Sequence, residues 1–177
     1  MSEPRPTAKD IKEMLRREHA GKNFSGEKWA FFEEFRLPGF ALGVRSLDAW
    51  AINVWPSSNF AKVAYEIKVS RSDFLRELKE PIKRREALLM SNSFFFVAPR
   101  GLIKPEELPI ECGLIEVAWD EQKAYRGMGA GNVAVWEPGW RSKTTVSAPW
   151  HDSAPTWALV AGVARRIARL EREEAVS

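Results

Sequence analysis

A chain of 177 residues, 45% hydrophobic and 29% charged, has the make-up of one globular domain, long enough to bury roughly 70% of the surface its unfolded form exposes. A net charge of +3 gives no strongly basic field, so any nucleic-acid reading must rest on where the cations lie. A single cysteine, Cys112, excludes an internal disulfide and a cysteine-pair zinc site. With no signal segment and no run near the roughly 20 apolar residues of a membrane span, a cytoplasmic protein with no membrane partner is expected.

Residues 1–7 read as a loose tail. Thr7 can cap a helix over 8–20, with Ile11, Met14 and Leu15 on its apolar stripe and Gly21 as a stop. WAFFEEFRL reads as a strand, or as a short helix leading into one, and 37–43 as a turn. LDAWAINVW (47–55) and AKVAYEIKV (61–69) read as an antiparallel hairpin around PSSNF. Ser70 or Ser72 then starts a helix, and Ser70 with Asp73 resembles a capping box. Pro81 restarts a helix that runs to about 90, and SFFFVAP (93–99) is a strong strand. Strand, helix and strand over 61–99 form a βαβ crossover with parallel strands.

Residues 100–110 read as a proline-rich loop with a helical turn at KPEEL. GLIEVAW (113–119) and KAYRGM (123–128) read as a strand pair. Residues 127–152, with Trp136, Trp140 and Trp150, form a Gly/Pro/Trp-rich insertion. Its tryptophans suit packing better than base stacking, and its glycines do not fit a GxGxxG loop. A helix over 155–173 closes the chain, with Trp157, Val160, Val163, Ala164, Ile167 and Leu170 as its apolar stripe. The fold class expected is α/β: a central mixed sheet flanked by helices, with a C-terminal helix, in a single domain over 1–177.

In YEIKVSRSD (65–73), Tyr65, Ile67 and Val69 face a core, which puts Glu66 and Lys68 on the opposite face. A five-residue loop at 56–60 pairs Trp55 with Ala61 and Asp48 with Lys68. Glu66 is then the diagonal neighbour of Asp48, roughly 7–8 Å away between backbones. Two close carboxylates repel, and burial makes their ionisation costlier. One lysine offsets part of this and a divalent cation would offset the rest. Mg²⁺, which takes one or two carboxylates plus water and phosphate oxygens, suits such a site. A structural ion network is the plainer reading of the same three residues.

Asp48, then Glu66-Ile67-Lys68 on the next strand, then a helix, resembles the PD-(D/E)XK nuclease superfamily with its restriction-endonuclease-like core. The longer run LDAWAINVWPSSNFAKVAYEIKVSRSDFLREL resembles its phage and bacterial branch akin to the MmcB-type DNA-repair group. The likeness spans roughly residues 29–120. It implies a Mg²⁺-dependent deoxyribonuclease, with Mn²⁺ as substitute, acting in DNA repair, recombination or phage DNA metabolism and leaving 5′-phosphate and 3′-hydroxyl ends. It implies Asp48 and Glu66 as metal-binding acids, the Ile67 carbonyl as a further ligand, and Lys68 as the catalytic lysine. A further acid implied by the family falls on Glu34, with Glu33 second and Glu13 and Glu18 after them. Leu47 stands where many members have proline.

Of the cations beyond the site, Arg71 and Lys83 are the candidates for DNA phosphate. Arg165, Arg166, Arg169 and Arg172 read better as an exposed helix face. His19 and His151 have no triad or zinc pattern and read as structural or exposed, and Cys112 as a small buried residue. DNA is the partner expected. A non-cleaving DNA-binding or adaptor protein, an RNA substrate and a homo-oligomer all remain compatible with the sequence.

Overall fold

In a computed structural model, residues 4–20, 28–36, 46–121, 124–126, 133–135 and 138–175 are described. The chain is an α/β protein. Its elements are α1 (Ala8–His19), β1 (Trp29–Arg36), β2 (Ser46–Asn53), β3 (Lys62–Ile67), α2 (Arg71–Leu78), α3 (Pro81–Leu89), β4 (Ser93–Pro99), β5 (Gly113–Asp120), β6 (Ala124–Arg126), β7 (Val133–Val135), β8 (Gly139–Val146) and α4 (Trp157–Glu174). Six strands make one mixed sheet in the order β1-β2-β3-β4-β5-β8, and β6 with β7 makes a separate two-stranded ribbon.

Local chemistry sets the helix starts. Thr7 and Asp10 close a reciprocal capping box on α1, and Thr156 caps α4 through Leu159 N–H. Ser70 accepts the Asp73 N–H at the start of α2, but Asp73 does not complete a box: its carboxylate turns to Arg76 and Lys68 instead. Pro81 opens α3, where a missing N–H costs nothing.

Strand alternation divides the core. On one face Trp50, Ala64, Phe94, Phe96 and Leu114 pack with Phe74 of α2, Ala87 of α3 and Leu159 of α4. On the other, Ala49, Ala51, Tyr65, Ile67, Val97 and Val117 pack against Ile11, Met14 and Leu15 of α1. Glu66 shares its parity with Ala64, so it projects from the face that α2, α3 and α4 cover.

Several expectations change. The β2–β3 ladder pairs Ala49 with Tyr65 and Ile52 with Lys62, two residues from the expected register. Asn53 N–H meets the Ala61 carbonyl, while Val54 and Trp55 turn away to Lys28 and Asn53, which lengthens the loop. A shift of two preserves every face but changes the opposed residue: Asp48 lies at the level of Glu66, not Lys68. β5 pairs with β8 rather than with β6. Residues 139–146 of the expected insertion are therefore an edge strand of the main sheet, with Trp140 edge-on to Trp119 at 5.1 Å. Helix α4 is rotated from the expected stripe. Leu159 is its buried anchor, while Trp157, Val160 and Ile167 are exposed. Gly21, residues 37–43 and Trp136 lie outside the described residues.

Candidate active site

β2 parts from β3 at Asp48, while its ladder with β1 continues past that point. The β1–β2 ladder runs through Glu33↔Ala49 and Phe35↔Leu47 and skips the level between them, where Glu34 has a left-handed φ of 49°. The β2–β3 ladder ends at Ala49↔Tyr65. Beyond that point the Asp48 side chain does the ladder's work: its Oδ2 accepts the Ile67 N–H at 2.7 Å. Carboxylate and strand end are thereby held together, and a main-chain donor that would lack a partner gains a charged one.

Glu66 and Lys68 follow on the same face of β3, only 2% and 4% exposed. Lys68 Nζ donates to Glu66 Oε1 at 3.0 Å and to Glu77 Oε2 at 3.2 Å, with Asp73 Oδ2 at 3.6 Å. Burial disfavours the ammonium, but attraction to Glu66, Glu77 and Asp73 outweighs it and holds the Lys68 pKa above the ordinary 10.5. At neutral pH Lys68 is a cation in a nest of carboxylates. Helix α2 supplies two of them, Asp73 and Glu77, four residues apart on one face. The sequence suggests for Asp73 only a capping role and for Glu77 none. Their spacing from Ser70 was the available signal, since the cap fixes which face of α2 looks back at β3.

The other expected residues are placed elsewhere. Glu34 is exposed and pairs with Lys12 of α1 at 2.9 Å, which with the attraction of that ammonium holds its carboxyl below the usual range. Glu33 pairs with Arg16. Neither joins the contacts around Lys68: Glu33 is opposite Ala49 on the face that α1 covers, and Glu34, at a left-handed φ, reaches Lys12 of the same helix. Glu18 accepts from Ser142. Arg71 is engaged with both carboxylate oxygens of Glu107 and with the Leu102 carbonyl at 3.2 Å, and lies 5.7 Å from the Phe74 ring centre. It fastens the loop after β4 onto the start of α2. Lys83 belongs to α3, and its side chain lies outside the described part of the structure.

The residues expected to hold a metal, the carboxylates of Asp48 and Glu66 and the carbonyl of Ile67, would offer it oxygen alone. That hard, two-carboxylate set fits Mg²⁺ or Mn²⁺. Among the described residues no three His, Cys, Asp or Glu side chains group closely enough to form a metal site by themselves.

His19 and His151 are structural. Nδ1 of His19 bonds the Leu15 carbonyl at 2.8 Å and Nε2 meets the Tyr65 hydroxyl at 3.1 Å, within a cage of Trp29, Phe31 and Tyr65. His151 ties the segment before α4 to Asn92 through its main chain. Cys112 is buried, which pushes its thiol up to about 12.

The fold and site together define an α/β protein with a carboxylate–lysine cluster at one end of a mixed sheet. No family model matches the chain, and no curated protein does. A solved structure is similar: a protein of unknown function from Silicibacter pomeroyi, 20% identical, covering 94% of this chain and 90% of that one with a TM-score of 0.52. At that identity the likeness speaks to the fold. Among the described residues no helix is long and apolar enough to cross a membrane.

Proposed function

We propose that the protein is a metal-dependent deoxyribonuclease of the PD-(D/E)XK kind, with a restriction-endonuclease-like core and with Asp48, Glu66 and Lys68 as its reacting set. The observation that carries this reading is the junction at the end of β3, where Asp48 holds the Ile67 N–H and Lys68 holds Glu66 on one face of the sheet.

Asp48, Glu66 and the Ile67 carbonyl would hold Mg²⁺. When bound, that ion offsets the repulsion of the carboxylates and polarises a scissile phosphate. Asp48 is pre-oriented by the Ile67 N–H, so it need not reorganise on binding. Glu66 is held in place by Lys68. Lys68 is charged at neutral pH, which suits it to donate hydrogen bonds to a phosphate oxygen or to the attacking water and to stabilise developing negative charge. A proton-accepting role would need the neutral amine, which the surrounding carboxylates disfavour.

A second reading is a DNA-binding or adaptor protein on the same fold that does not cleave. It is favoured by the full engagement of Lys68: a phosphate would have to draw it from Glu77 and Asp73. Single-stranded, duplex, flap and branched DNAs, with RNA alongside, separate the two readings when incubated with Mg²⁺ or Mn²⁺. Turnover that chelation stops supports the nuclease. Metal-independent binding with no turnover on any substrate supports the adaptor.

A further inference from the structure

A groove of about 620 Å³ lies between α4 and the sheet, walled by Trp50, Ile52, Phe60, Leu159, Val163 and Ile167. This volume is in the range of small-molecule sites. It opens at the start of β3, whereas the Asp48 cluster lies at the end of that strand, roughly 13 Å away by strand rise. The two sites share no residue.

The groove is not purely apolar, because Lys62 lines it and is only 4% exposed. Its backbone is pinned on both sides by Asn92, with the Lys62 N–H on Asn92 Oδ1 at 2.9 Å and the Lys62 carbonyl on the Asn92 N–H at 2.7 Å. The main chain from which the side chain springs is therefore fixed beside the groove. Among the described residues its ammonium has no ion-pair or hydrogen-bond partner. Asp152 also lines the groove, but its carboxylate takes the indole N–H of Trp150 at 3.3 Å. Burial alone pulls the Lys62 pKa below the ordinary range, and no carboxylate opposes it.

A cation that is largely buried without a counterion is costly, and its ammonium keeps contact with the open groove. What complements it is a ligand with one anionic head and an apolar body. We propose that this groove binds a small amphipathic monocarboxylate, its carboxylate on Lys62 and its apolar body along the α4 wall. The site owes nothing to the nuclease reading and stands or falls separately.

Calorimetric titration of the full chain at neutral pH with decanoate, decanol and decylammonium, each below its micelle concentration, tests this. Decanoate is expected to bind one per chain and tightest of the three, with decylammonium weakest. Lys62→Met should weaken decanoate by about tenfold or more while leaving decanol unchanged, and Lys62→Arg should retain the preference. Should Lys62→Met fail to fold, Ile167→Trp, which fills the groove from the exposed face of α4, should abolish binding. Equal binding of decanoate and decylammonium, undiminished decanoate binding in Lys62→Met or Ile167→Trp, or no binding of any probe would overturn the proposal. So would a wild-type dimer that Ile167→Asp dissociates, since a second copy would then fill the groove.

Discussion

Oδ2 of Asp48 takes the place of a main-chain carbonyl for the Ile67 N–H, at 2.7 Å. One side chain thus closes the gap where β2 parts from β3, at the level of Glu66. Asp48→Ala leaves a donor without its partner and should cost about 1–3 kcal/mol in urea unfolding. Asp48→Asn keeps an acceptor in place and should unfold close to wild type while losing the negative charge. Equal losses in the two variants would mean that the bond contributes little to the fold.

Lys68 is the cation for three carboxylates, with its side chain 5% exposed. Lys68→Met should therefore destabilise by about 3–5 kcal/mol, the range for breaking a buried pair. Adding Glu66→Leu should recover much of that loss, because the stranded charge is then gone. A double variant no more stable than Lys68→Met would place the energy in Glu77 and Asp73 instead. Because the folded pKa is raised, the contribution of Lys68 is fully present below about 10.5 and is lost as pH climbs through the higher folded value.

His19 gives a dependence of opposite sign. Its burial in the aromatic cage lowers its pKa from 6.5, only partly offset by the Leu15 carbonyl and Glu18. The unfolded chain then binds the proton more readily than the folded one. Stability should be complete above about 6.5 and fall as pH drops below it. His19→Phe should remove that part of the slope in unfolding curves between pH 7.5 and 5. An unchanged slope would show that protonated His19 is tolerated where it lies.

Gly113 opens β5 where no side chain fits. A Cβ there would lie 2.5 Å from the Phe95 ring and 2.6 Å from the main-chain nitrogen of Ala148. The ring can shift, but the backbone that follows β8 resists. Gly113→Ala should cost about 1–3 kcal/mol in thermal or urea unfolding. A variant as stable as wild type would show that the 146–148 segment gives way freely.

Much of this architecture is legible in the sequence because its signals are local. Thr7, Ser70 and Pro81 mark helix starts, and SFFFVAP can be little but a strand. The antiparallel pairing of β2 with β3, and the Glu66–Lys68 pair on one face, were legible because parity survives a two-residue slip. The register itself was not, since Val54 and Trp55 are apolar enough to continue β2 yet are taken by Lys28 and Asn53. β8 was hidden because GWRSKTTV is a half-exposed edge strand with little apolar alternation. In α4 apolar residues surround more than one face, so periodicity could not choose between Leu159 and Val160 as the anchor. The choice of Leu159 is what leaves Val160 and Ile167 lining a groove. Glu34 could not be placed, because nothing in WAFFEEFR announces a left-handed φ at that position.

The proposed nuclease requires a metal site for phosphodiester cleavage at Asp48 and Glu66. Anomalous diffraction from crystals soaked in Mn²⁺ at a concentration that supports turnover tests it most directly. A peak bonded to both carboxylates at about 2.0–2.2 Å is expected, absent in Asp48→Asn, a variant that also fails to cut DNA. A peak elsewhere in the molecule, or an Asp48→Asn protein that cuts like wild type, would contradict it.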